Sequence, residues 1–202
     1  MSEKILVVGD RFTELLYRND VISYSQLTPN MASSQQKPTL FFGQGIACQS
    51  VEKIKHHKTL PKWIIDALQE RSNKKEIYDT KTKNHLFSPV KQSSETRFHA
   101  HLFIDNENDE LQDHVTGIHL SAMVLLRAAQ QFAAILKKYF LNLCSDENKN
   151  FSSIETDFVR YSFPVETKIA AKLENKSNSK HFAITFTQAN LLTYQSRIFF
   201  EQ

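Results

Sequence analysis

Between Ile118 and Leu143 apolar residues recur at steps of three and four, at Ile118, Ala122, Leu125, Ala129, Phe132, Leu136, Phe140 and Leu143. Side chains at that spacing share one face of an α-helix, so the run predicts one long helix with a continuous apolar stripe. Such a stripe must be buried. The flanking sequence supplies the cover. Residues 96–105 (TRFHAHLFID) alternate, with Phe98, Ala100, Leu102 and Ile104 on one side and Arg97, His99, His101 and Phe103 on the other, which is the period of a strand. Four further partly alternating runs follow the helix, at 154–163, 166–173, 182–186 and 192–199. They are separated by Pro164, the polar loop ENKSNSK and the turn-forming pair Ala189-Asn190.

The first part of the chain is less regular. Ile5–Val8 (ILVV) and Thr39–Phe42 (TLFF) read as short strands, the second entering Gly43-Gln44-Gly45, a turn. SQLTPNMASSQQKP is a polar loop. In LPKWIIDALQERSNKK, Pro61 stands where a helix starts and Trp63, Ile64, Ala67 and Leu68 keep helical spacing, a short amphipathic helix for packing on the main body. Residues 73–94 are polar and Lys-rich and read as a linker or long surface loop. These features divide the chain into an N-terminal extension, 1–92, packed on a main domain, 93–202. No internal repeat is present, and neither GxGxxG nor GxxxxGK occurs, so Gly43-Gln44-Gly45 is not a phosphate cradle.

Composition narrows the function classes. With 202 residues, 41% hydrophobic, the chain buries a core without covalent staples. Its 25 Lys and Arg against 22 Asp and Glu leave +3, spread along the chain, which argues against a nucleic-acid partner. The clusters at 53–58 (KIKHHK) and 73–75 read as solvated surface. Cys48 and Cys144 are distant and outside any CxxC pattern, which suits a reducing compartment and predicts neither a disulfide framework nor a zinc site. ILVV is too short for a signal segment or a membrane span, so we expect a soluble, cytoplasmic protein without membrane insertion.

The most economical way to bury the long helix is to wrap the antiparallel sheet around it. That is the α+β hotdog arrangement, with another α+β roll as the alternative. The residues at the helix start carry a resemblance to it. DHVTGIHLSAMVLLRAAQQ, residues 113–131, resembles the DHxTGxHxxGMxLxEAxRQ pattern of AfsA-type (A-factor biosynthesis) hotdog proteins and, more distantly, the helix opening of the hotdog dehydratases of fatty-acid synthesis. FVRYSFPVETKIAAKL and FAITFTQANLLTYQSRIFF are similar to that family's return strands, so the resemblance covers the C-terminal half; ILVVGDRF and VISYSQL match more weakly. It implies a homodimer whose ligand is an acyl group on a pantetheine thioester, delivered by an acyl carrier protein or coenzyme A, with no further cofactor. The implied activity is acyl transfer in the biosynthesis of small signals or secondary metabolites.

Asp113, His114, Thr116, Gly117, His119, Met123, Ala128 and Gln131 match the pattern. Ala122 stands where it has glycine and Arg127 where it has glutamate. In related hotdog enzymes that glutamate is the acid, base or water orienter. Arginine keeps its charge at any working pH and cannot take the role. The candidate base is then His114, next to Asp113; an imidazole near pH 7 can accept a proton. The amides around Gly117 at the helix start are candidates to polarise a thioester carbonyl. Asp113, Gly117, His119, Met123 and Arg127 are candidate binding residues, Arg127 either gripping an anionic group or pairing with a carboxylate. His99 and His101 share a strand face without a third ligand, so no metal site is expected. Two functions stay open: an acyltransferase, thioesterase or dehydratase-like enzyme on acyl thioesters, and a non-catalytic acyl-thioester or lipid-binding module.

Overall fold

The computed structural model describes residues 3–27, 38–46, 60, 62, 64–66, 86–104, 117–141, 151–176 and 179–200. The larger sheet holds six strands: β4 (Lys91–Ser94), β5 (Arg97–His101), β6 (Ser153–Phe158), β7 (Lys168–Lys176), β8 (Ser179–Gln188) and β9 (Leu191–Phe200). They lie in the order β4-β5-β7-β8-β9-β6, every pair antiparallel. Helix α1 (Ala122–Ile135) falls between β5 and β6 in sequence and carries the chain from one side of the sheet to the other. Alternation fixes which face meets the helix. Phe98, Ala100, Ile169, Ala171, Phe182, Ile184, Phe186, Tyr194 and Ile198 are all buried in one cluster with Val124, Leu125, Ala128, Ala129, Phe132 and Ala133. The expected hotdog arrangement is therefore present: an antiparallel sheet packed around one central helix.

The helix is shorter than its apolar spacing suggests. Gly117 takes a left-handed φ of 70°, the Leu120 N–H donates to Ser162 O at 2.7 Å, and Ser121, in extended conformation, accepts the Val124 N–H on Oγ at 3.3 Å as N-cap. These constraints hold the lead-in out of the helix. Ile118 and Ala122, placed in the buried stripe by spacing, are exposed, and Val124, Ala128 and Ala133 are buried in addition to Leu125, Ala129, Phe132 and Leu136. At the other end the helix widens into a π-turn at Leu136–Phe140, where the Leu141 N–H reaches back five residues to Leu136 O at 3.1 Å. Leu143 lies outside the described residues.

Strand β5 ends earlier than its alternating sequence. Leu102 makes an isolated bridge to Phe87, and the Phe103 N–H donates to Leu86 O at 2.8 Å, so Phe103 is buried instead of continuing the polar face. Residues 86–94 are accordingly no linker: Leu86 and Phe87 are fully buried, and β4 pairs with β5. The remainder of that stretch, 73–85, lies outside the described residues. The turn Ala189-Asn190 joins β8 to β9 as its composition suggested, with φ of 48° and 65°.

At the N-terminus β1 (Lys4–Val8), β2 (Val21–Ser23) and β3 (Thr39–Phe42) form a parallel sheet ordered β2-β1-β3. The three-residue β2 is too short to register as alternation. Gly43-Gln44-Gly45 fastens this sheet to the larger one. Gly9 donates to Gln44 O at 2.9 Å, Gln44 N–H to Pro164 O at 2.8 Å, and Gly45 N–H to Ile104 O at 2.9 Å. A Cβ on Gly9 would strike the Gly45 carbonyl, so this approach admits only glycine. In the amphipathic segment Lys62 and Ile64–Asp66 are helical, with Ile64 fully buried among Val7, Leu27 and Ile46; Trp63, Ala67 and Leu68 lie outside the described residues.

Candidate functional site

The entry to α1 is assembled from three parts of the chain. Gly117 is buried, and the side chain of Glu14, from the single-turn helix Thr13–Tyr17, lies over it: a Cβ at 117 would stand 3.0 Å from Glu14 Cγ and 3.1 Å from Oε1. His119 is half-buried with its ring 4.9 Å from that of Tyr161. Leu120 hangs on Ser162, and the loop carrying Ser162 is braced from below by Gln188. The Gln188 amide donates to Phe163 O at 2.7 Å and Thr167 Oγ1 at 2.8 Å and accepts the Phe163 N–H at 3.0 Å.

With the Leu120 and Val124 amides taken, those of Ala122 and Met123 have no acceptor among the described residues. Amides at a helix start carry positive partial charge, so this edge of the entry suits an oxygen bearing negative charge. The exposed Glu14 carboxylate lies close by and tempers that field.

The structure brings Gly117 and His119 together at this entry. Met123 and Arg127, one turn apart, stand on the outward flank of α1, both exposed, so neither points toward the sheet. Asp113 and His114 lie outside the described residues, as does Thr116. Among the described residues no group of three His, Cys, Asp or Glu side chains could hold a metal ion. His99 is exposed, and His101 Nδ1 pairs with Glu166 Oε1 at 3.1 Å on the surface. No described helix is long and apolar enough to cross a membrane.

Sequence reasoning missed Glu14, Tyr161 and Gln188. For Gln188 a signal exists. It falls on the core side of the alternation Phe182, Ile184, Phe186, where an amide must find internal partners. Glu14 and Tyr161 carry no local pattern, because their roles come from segments distant in sequence.

No family model matches the chain, and no match is found among curated proteins. Among solved structures it is similar to a variant of a thioesterase from Pseudomonas aeruginosa at 10% identity and a TM-score of 0.41, covering 56% of this chain and 78% of that one. It is also similar to a thioesterase from Haemophilus influenzae at 18% identity and a TM-score of 0.41, covering 62% and 91%. A third, a sigma28-regulated virulence protein from Campylobacter jejuni, gives 8% identity and a TM-score of 0.43, covering 64% and 93%. Similarity at this level assigns neither substrate nor catalytic residue.

Proposed function

We propose that this protein binds an acyl thioester, presented by an acyl carrier protein or coenzyme A, with the thioester carbonyl at the Gly117 entry and the acyl chain along the contact between α1 and the sheet. The observation that carries the proposal is the left-handed Gly117 lead-in, which holds the start of a buried helix open with the Ala122 and Met123 amides unclaimed among the described residues. The pantetheine arm enters as part of the substrate. The outer strands β4 and β6 each have one unpaired edge among the described residues, which supports pairing of two protomers.

Two readings of the bound state follow from different residues. Arg127, exposed on the outer flank where the resembled pattern has glutamate, favours a binding module. His119 beside the entry, with His114 shortly before it in sequence, favours acyl transfer to a small hydroxylated acceptor or hydrolysis. Incubating the purified protein with acyl carrier protein and coenzyme A thioesters, and following both binding and thioester loss by intact mass, decides between them. Neither binding nor loss across a range of chain lengths would refute the proposal.

A further inference from the structure

The helix that starts at the entry brings no carboxylate of its own: Ala122–Ile135 contains neither Asp nor Glu. The N-terminal part of the chain supplies one. Where a Cβ on Gly117 would stand, Glu14 Cγ lies 3.0 Å away and Cδ and Oε1 3.1 Å, so the carboxyl itself, and not merely its stem, lies over the glycine. Gly117 therefore does two things. It takes the left-handed φ of 70° that turns the chain into the entry, and its missing side chain leaves the space that the Glu14 carboxyl occupies.

The backbone that carries Glu14 is well anchored. It stands on the one-turn helix Thr13–Tyr17, and both flanks of that turn are fixed. The Phe12 N–H donates to Gly9 O at 3.1 Å and the Phe12 ring is buried against Gly45. Leu15 and Leu16 pack on the main core, and the Leu15 N–H returns to Phe12 O at 3.1 Å. The carboxylate itself is exposed and meets no hydrogen-bond donor and no cation among the described residues. A carboxylate held at the entry, open to solvent and not engaged with a cation, can accept a proton from water.

We propose that Glu14 is the general base for thioester hydrolysis at the Gly117 entry. This rests on the acyl-thioester proposal above and adds the reaction and the residue that drives it. The carboxylate takes a proton from a water molecule as the water oxygen bonds to the thioester carbon. The carbonyl pair moves onto its oxygen, facing the Ala122 and Met123 N–H groups, and returns as the carbon–sulfur bond breaks. The departing thiolate takes the proton back from Glu14, leaving a free acid and a thiol. His119, whose ring is set against Tyr161 at 4.9 Å, is the competing base at this entry, and the experiment separates the two.

Acyl coenzyme A thioesters of short to long chain length are incubated with the full chain, and binding and thiol release are both followed. Glu14→Gln, at an exposed position, keeps the parent melting temperature and lowers kcat by roughly 10²-fold or more with little change in KM, because a general base acts in the transition state. In Glu14→Ala, added formate restores a saturable part of the lost rate. A side chain that merely shapes the entry, or an imidazole acting as the base, gives no such rescue. Thiol release by Glu14→Gln at the parent rate, a loss confined to KM, or a loss in Glu14→Ala that formate leaves untouched overturns this inference. A parent protein that binds a thioester saturably without releasing thiol also overturns it, while leaving the acyl-thioester proposal standing. Binding of none removes both.

Discussion

Gln44 accepts the Ile104 N–H on Oε1 at 2.7 Å while its Nε2 donates to Leu102 O at 3.0 Å and Val165 O at 3.2 Å. One side chain, 2% exposed, thereby satisfies three backbone groups in the segments that follow β5 and precede β7, from just beyond the end of β3. Its orientation is fixed, because only the amide nitrogen can face the two carbonyls. Gln44→Ala strands the Ile104 N–H and the Leu102 carbonyl, while the Val165 carbonyl keeps the Thr167 hydroxyl at 3.1 Å, and we predict a loss of about 2–4 kcal/mol of stability. Gln44→Glu is at least as damaging, since it turns a carboxylate oxygen toward two carbonyls. Urea denaturation measures both; a change under about 0.5 kcal/mol, the size of an ordinary surface substitution, would show that the buckle contributes nothing.

Gly117 and Glu14 are coupled by contact. An alanine at 117 meets a φ of 70°, which disfavours any Cβ, and Glu14 at 3.0 Å. Gly117→Ala should cost about 1–2 kcal/mol from the backbone alone. Removing Glu14 relieves the contact but not the backbone strain. The double variant Glu14→Ala with Gly117→Ala is therefore predicted to recover part of the loss, and a thermal-melt double-mutant cycle gives the share. Strict additivity would mean that Glu14 moves aside freely.

The helix, five of the six antiparallel strands around it, and the β8–β9 turn were legible in the sequence because period, punctuation and φ-tolerant residues agree there. The helix start was not. Ile118 and Ala122 fit the apolar stripe, yet the chain is held out of the helix by Ser162 and capped by Ser121, and the former bond joins residues 42 positions apart. Likewise β4, KQSS, carries no hydrophobic signal, since all four residues are exposed on an edge strand and its order comes from backbone pairing with β5. Of the candidate site, Gly117 and His119 were recognisable from the motif.

Glu174 lies between Lys172 Nζ at 2.8 Å and His181 Nε2 at 3.3 Å. The Lys172 hydrogen bond, more than the nearby His181, holds its carboxyl below the usual range. A depressed carboxylate contributes stability that is present above its unfolded pKa and is lost as pH falls through the folded one. Glu174→Gln is accordingly predicted to destabilise at neutral pH, modestly because the pair is partly solvated, and to match the parent protein in acid. Denaturation midpoints from pH 3 to 7 test this; a penalty that persists at the acid end would assign the effect to packing.

The open edge of β6 predicts a homodimer. Backbone groups on that edge gain partners when a second copy pairs with it, which also closes the flank of the helix and sheet contact. Light scattering at micromolar concentration should return twice the chain mass. A fully folded, stable monomer would count against this assembly.

Arg127 decides between gripping a ligand and holding protomers together. It is exposed on the flank of α1 one turn beyond Met123, at the position where the resembled pattern has a carboxylate. If it binds an anionic group of the thioester carrier, Arg127→Ala weakens ligand binding by about 1.5–3 kcal/mol, the range of a charge-assisted hydrogen bond, and Arg127→Glu weakens it further. If the chain is an acyl-thioester enzyme that has lost its acid, Arg127→Glu instead raises turnover, because the entry around Gly117 and His119 is already built. If the guanidinium joins two protomers, both variants lower dimer affinity and melting temperature while ligand bound per dimer holds. We expect the first outcome, since an exposed guanidinium keeps its charge at any working pH and presents several donors to an anionic group. Measuring affinity, turnover and dimerisation on both variants separates the three, and no change in any of them would make Arg127 a surface residue.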